Sequence, residues 1–123
     1  MKPTDKELEI LQVLWDKGKA SVREVHEALH TVESEAPSYT TTLKQMQIMF
    51  EKKGFVGREK SGKSHIYFAK EQAATTRKGL LSNLAEKAFG GSASQLVLHA
   101  LGSQKTSKED LAEIREFLDK MEK

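Results

Sequence analysis

Between Thr4 and Gly18, the residues Leu8, Leu11, Val13, Leu14 and Trp15 recur with the spacing of a helix that lays one broad face on a core. Thr4-Asp5-Lys6-Glu7 has the form of a capping box: the threonine hydroxyl accepts from the Glu7 N–H and the glutamate accepts from the Thr4 N–H. Gly18 follows basic Lys17 as a stop signal, so a first helix is predicted over about residues 5–17. Ser21-Val22-Arg23-Glu24 repeats the box, and Val22, Val25, Ala28 and Leu29 form a narrower stripe. A short second helix therefore follows a three-residue turn. After Pro37-Ser38, Leu43, Met46, Met49 and Phe50 keep the helical period until Gly54, with Lys52 and Lys53 in the last turn, where cations suit the helix dipole. That predicts a third helix over about 39–53.

The period then changes. Phe55 to Lys60 and Ser64 to Ala69 are short β-prone stretches on either side of Ser61-Gly62-Lys63, which predicts a hairpin with a basic tip. From Ala73 the helical spacing returns through Leu80, Leu81, Leu84 and Ala88 to Gly90-Gly91. Ser92 to Gln95 forms another capping box ahead of Leu96, Val97, Ala100 and Leu101, and Thr106 or Ser107 caps a last helix carrying Leu111, Ile114, Phe117, Leu118 and Met121. The expected domains are residues 1–72 and 73–123.

Length narrows the function classes: 123 residues make one ordinary domain or two small ones, not a large enzyme. The absence of cysteine excludes disulfides, thiolate nucleophiles and sulfur-ligated metals. The longest apolar run is four residues, Ile66 to Ala69, against the ~20 that a bilayer span needs, and the first ten residues lack a signal peptide's apolar region. No membrane insertion is expected, and the expected compartment is the cytoplasm. The net charge of +2 conceals an asymmetry. Residues 1–37 are net −3, whereas residues 38–70 hold seven Lys/Arg against Glu51 and Glu59, net +5, and the remainder is nearly balanced. A polyanion would meet the middle segment first.

Three short helices followed by a hairpin is the winged helix-turn-helix order. On a wheel, helix 3 turns Leu43, Met46, Met49 and Phe50 inward and Thr40, Thr41, Lys44, Gln45, Ile48 and Lys52 outward. Lysine and glutamine can donate to base edges or phosphates, and threonine and isoleucine methyls can touch the thymine methyl. Arg58, Lys60 and Lys63 on the hairpin would meet backbone phosphates.

Tyr39-Thr40-Thr41-Thr42-Leu43-Lys44, Gln47-Ile48-Met49, Glu51-Lys52-Lys53-Gly54-Phe55-Val56 and Ser61-Gly62-Lys63-Ser64-His65-Ile66-Tyr67 resemble the BlaI/MecI penicillinase-repressor family, which includes copper-responsive repressors. Thr4 through Trp15 resembles its first helix. Phe89-Gly90-Gly91-Ser92 with Leu96-Val97-Leu98 resembles its C-terminal dimerisation domain. The resemblance implies a mainly α protein, a winged helix-turn-helix followed by a three-helix dimerisation domain, acting as a dimeric repressor on a two-fold symmetric DNA operator. It implies DNA contacts on Thr40, Thr41, Lys44 and the hairpin, and with the outward face of helix 3 the expected DNA-contacting set is Tyr39, Thr40, Thr41, Lys44, Gln45, Ile48, Arg58, Lys60, Lys63 and Ser64. Leu80, Leu84, Leu96, Val97, Leu101, Ile114 and Leu118 are the expected dimerisation residues, because so few residues rarely bury enough apolar area alone.

Three departures stand out. Phe50 lengthens helix 3 by one residue against the family pattern, shifting the phase of Glu51 and Lys52. His99-Ala100 replaces the Asn-Phe bond at which antibiotic-responsive members are cleaved, so the identity of any upstream sensor or protease stays open. The Cys-x-Cys pairs of copper-responsive members are missing.

A rival motif is His26-Glu27-Ala28-Leu29-His30, which matches the H-E-x-x-H of zinc peptidases. Glu33 and Ala36 stand where the extended pattern wants Gly and His, and Val25 and Leu29 of the same helix must pack. The expectation is therefore solvent-facing histidines, with no catalytic residue, metal or cofactor assigned. A small zinc metallopeptidase is the alternative reading.

Overall fold

The computed structural model describes residues 2–32 and 37–123. Its elements are α1 (Asp5–Lys17), β1 (Ala20–Ser21), α2 (Val22–Val32), α3 (Tyr39–Ile48) with a π-helical turn at Met49–Lys53, β2 (Val56–Ser61), β3 (Ser64–Ala69), α4 (Ala73–Ala88), α5 (Ala93–Ser103) and α6 (Lys108–Met121). The chain divides into two compact units, Met1–Leu80 and Leu81–Lys123, so that α4 contributes to both. Mostly helical, with one small antiparallel sheet, the architecture is that of a winged helix-turn-helix with a C-terminal helical segment.

Local capping sets the helix starts. The Thr4 N–H donates to Glu7 Oε1 at 2.8 Å while the Glu7 N–H donates to Thr4 Oγ1 at 3.2 Å, and Ser21 and Glu24 repeat the exchange at 2.9 and 3.1 Å. Ser38 accepts from the Thr41 N–H at the start of α3, and Ser107, not Thr106, caps α6. At Ser92 only the serine's half of the box is present, with Oγ accepting from the Gln95 N–H at 3.2 Å.

The core of the first unit is made of Ile10, Leu11 and Leu14 of α1, Val22, Val25 and Leu29 of α2, and Met46 and Met49 of the third helical segment, closed by Val56 and Tyr67 of the sheet. Each such side chain removed from water stabilises the fold by about 1.5–3 kcal/mol. Ile10, which the spacing left out of the α1 face, is fully buried there, whereas Leu8 and Trp15 are only half-buried.

Two features depart from the sequence reading. The three-residue turn before α2 contains the two-residue strand β1, paired with β3 through Ala20↔Tyr67 and Ser21↔Ile66, so the sheet has three strands in the order β1-β3-β2. The third helix is not α-helical to its end. Its last five residues form a π turn, which holds about one residue more per turn and so absorbs the extra Phe50 without moving Met46 or Met49 from the core. Gly54 ends it at φ +68, a left-handed conformation cheap only for glycine.

Among the described residues Glu7 is the buried charge, and Lys53 answers it from the π turn, Nζ to Oε2 at 2.7 Å. Burial pushes the Glu7 carboxyl up, but the hydrogen bonds from Lys53 and the Thr4 N–H, with the lysine's charge, hold it below the ordinary carboxylate range. The first turns of α4 are tied to α1: Trp15 Nε1–H donates to the Glu71 carbonyl at 2.9 Å, and Arg77 donates to Gln12 Oε1 at 3.1 Å.

In residues 81–123 no side chain is buried within a single chain. Leu98, Phe117 and Met121 are 60%, 63% and 68% exposed, and Leu101, Ile114 and Phe117 line an open groove of about 560 Å³. No helix among the described residues is long and apolar enough to cross a membrane.

Candidate nucleic-acid interface

The orientation of α3 follows from which of its side chains the core accepts. Thr42 and Met46 are buried, the Thr42 hydroxyl donating to the Ser38 carbonyl at 3.3 Å so that no polar atom is stranded. The opposite side presents Tyr39, Thr40, Thr41, Lys44 and Gln47 as exposed residues. Gln45 and Ile48, expected fully outward, are half-buried on the flank. Gln47 is the residue missed: it lies three positions after Lys44 and seven after Thr40, so the 3.6-residue period already places it in the centre of the exposed face. Glu51 and Lys52 remain exposed, and the wide turn aims Lys53 at Glu7.

The hairpin closes through Gly62-Lys63, with Gly62 at φ +61 between the paired Ser61 and Ser64. Lys60, Lys63 and Ser64 stand exposed at this tip. Arg58 does not. It sits near the base opposite Tyr67, its guanidinium 4.2 Å from the Phe50 ring centroid and donating to Tyr67 Oη at 3.4 Å. That cation–π contact ties the wing to the π turn that ends the third helical segment.

Ion pairing reshapes the charge asymmetry. Lys53 is neutralised by Glu7, and Glu59 on the wing is neutralised by Lys19 at 2.6 Å. Among the described residues, Lys44, Lys60 and Lys63 make no ion pair, and neither does Arg23 of α2. Arg23 was not legible as part of this surface, because its place depends on how α2 packs. Its guanidinium lies 5.4 Å from the Tyr39 ring centroid. Arg23, Tyr39, Gln47, Lys63, Ser64 and His65 line a cleft of about 430 Å³ between α2, α3 and the wing.

The histidines of the rival motif correct an expectation. His30 is exposed, but His26 is half-buried, its ring 4.1 Å from His30 and edge-on to Tyr39 at 5.5 Å. Tyr39 covers it because α3 packs across α2. His30 Nδ1 sits 2.9 Å from the His26 carbonyl. No group of three His, Asp or Glu suited to a metal is found among the described residues, and Glu33 and Ala36 lie outside them. His26, Glu27 and His30 thus lack a third ligand in the described fold.

The residues expected at a dimer contact divide by exposure. Leu84, Val97 and Leu118 are exposed, whereas Leu80, Leu96, Leu101 and Ile114 are half-buried within the chain.

Known proteins resemble this chain over most of its length. The chain is 25% identical over 114 residues to the "Methicillin resistance regulatory protein MecI" of Staphylococcus aureus strain N315, an alignment covering 93% of this chain and 90% of the relative. The MecI proteins of Staphylococcus epidermidis and Mammaliicoccus sciuri match to the same extent. The family model described as penicillinase repressor matches residues 3–120, nearly the full length over which the capped helices, the wing and the apolar C-terminal helices have been traced, and the chain belongs to the penicillinase repressor family.

Proposed function

We propose that this transcriptional repressor is a homodimer that binds a two-fold symmetric DNA operator, with α3 in the major groove and the wing tip on the adjoining backbone. The observation that carries the reading is the juxtaposition of an exposed polar helix face, Thr40, Thr41, Lys44 and Gln47, with a wing tip whose Lys60 and Lys63 have no ion-pair partner among the described residues. Short donors in the groove discriminate bases, and free lysines on the flank neutralise phosphates. Residues 1–72 supply this surface and residues 73–123 the dimer contact. The exposed Leu84, Val97, Leu98, Phe117 and Leu118 form an apolar surface that a second copy would cover. Two linked copies make binding of the second half-site effectively intramolecular, which adds affinity without new contacts. The penicillinase repressor family and the regulatory role in the relatives' name support repression of transcription as the role, and a repressor acting on chromosomal DNA would work in the cytoplasm. No catalytic step is assigned to it.

Sequencing the DNA recovered with the protein, followed by gel shift on duplexes with one and two half-sites, tests the reading. Leu84→Asp or Leu96→Asp in the full chain should yield monomers by sedimentation velocity, with the preference for the two-half-site duplex lost. A wild-type protein that binds no duplex, or binds with a flat salt response, would refute it.

A further inference from the structure

We infer that the cleft between the start of α2, α3 and the wing is a phosphodiester-binding site, in which Arg23 grips one DNA backbone phosphate from outside both the recognition helix and the wing. The inference rests on the DNA-binding reading above and adds to it a contact from a third element. Its position is the first argument. The cleft opens beside Gln47 on one wall and Lys63 and Ser64 on the other, so a strand passing from the groove to the wing tip must cross its mouth.

Its chemistry is the second. The polar lining consists of groups that can donate: the Arg23 guanidinium, the Lys63 ammonium, the Tyr39, Ser21 and Ser64 hydroxyls, the Gln47 amide and the His65 ring, and among the described residues no carboxylate lines it. An anion is the ligand such a lining suits. Val22, Leu43 and Tyr67 complete the walls with apolar surface, against which a deoxyribose can lie while its phosphate meets the cations.

The third argument is the way Arg23 is held. Its guanidinium lies over the Tyr39 ring, 5.4 Å from the centroid; that ring is met edge-on by His26 at 5.5 Å, and His26 in turn rests on His30 at 4.1 Å. The H-E-x-x-H histidines thus act as a buttress: they fix Tyr39, and Tyr39 fixes Arg23 at the rim. Contact with a ring uses none of the guanidinium's N–H groups as hydrogen-bond donors to an oxygen, so two of them can meet two phosphate oxygens. A phosphate contact of this kind carries no base information. It sets the depth and register at which α3 sits in the groove.

The test uses the full-length protein and a fluorescein-labelled duplex of random sequence, with affinity measured by anisotropy from about 50 to about 200 mM salt. Arg23→Gln should weaken binding and flatten the slope of log affinity against log salt by about 0.9 per bound chain, a roughly threefold smaller loss of affinity across that range. Arg23→Lys should keep most of the slope, and Lys78→Gln, which removes the same charge from α4, should leave it unchanged. Far-UV circular dichroism confirms that each variant is folded, as expected for substitutions of exposed side chains. A wild-type slope and affinity in Arg23→Gln would overturn the inference while leaving the DNA-binding reading intact. Failure of the wild type to bind the duplex would overturn the DNA-binding reading itself. Loss in Arg23→Gln matched by equal loss in Lys78→Gln would reduce the effect to net charge and refute a local site.

Discussion

Removing Lys53 strands the Glu7 carboxylate, and the structure sets the size of the effect. Glu7 is 5% exposed, Lys53 donates to it at 2.7 Å, and its other oxygen keeps the Thr4 N–H at 2.8 Å. Breaking a fully buried pair costs about 3–5 kcal/mol. Here the lysine side chain is 27% exposed and one hydrogen bond to the carboxylate survives, which reduces the expected cost of Lys53→Met to about 2 kcal/mol. For a cooperative unit of this size that corresponds to a fall of roughly 8–16 °C in Tm. The loss should depend on pH in one direction. Because the folded-state carboxyl lies below its ordinary value of 4.5, the stabilisation is complete above that pH and is lost as pH falls through the folded value. Thermal unfolding of the wild type, Glu7→Gln, Lys53→Met and the double variant at pH 7 and in acid should give a coupling energy of about 1 kcal/mol or more at neutral pH, shrinking in acid. Coupling below about 0.3 kcal/mol at neutral pH, or a wild-type to Lys53→Met gap that does not narrow in acid, would refute the claim that this pair joins α1 to the π turn after α3.

Met46→Ala should cost about 2–5 kcal/mol in chemical denaturation, because the side chain is fully buried beneath α3 and its removal leaves a cavity. Gly57→Ala would drive a Cβ into the ring of Phe68, so a loss of about 1–3 kcal/mol is expected, partly restored when Phe68→Leu is added. Lys44→Ala and Gln47→Ala should each cost about 1–3 kcal/mol on the preferred operator and less on random DNA where the residue meets a base edge. Equal losses on both duplexes in anisotropy titrations would make the residue a phosphate contact.

Much of this molecule is written in short-range patterns. The boxes at Thr4 and Ser21, the serine caps before α3 and α6, the Gly62 turn and the alternation of apolar faces all join residues a few positions apart, so their physics is local and survives without the rest of the chain. The basic character of residues 38–70 and the exposed side of α3 were legible for the same reason. Other features have no local signature. Two residues at Ala20–Ser21 become a strand only because β3, far along the chain, offers an open edge. Glu7 serves as a helix cap in sequence, but only the arrival of Lys53 from the π turn lets a charge stay buried there. Arg58 reads as a wing cation until Phe50 and Tyr67 draw its guanidinium to the wing's base, and His26 reads as a solvent-facing residue until α3 lays Tyr39 across it. Periodicity assigns a side chain to a face. The partner waiting on that face is chosen by packing between segments far apart in the chain, and that choice decided which of the cations stayed without an ion-pair partner among the described residues.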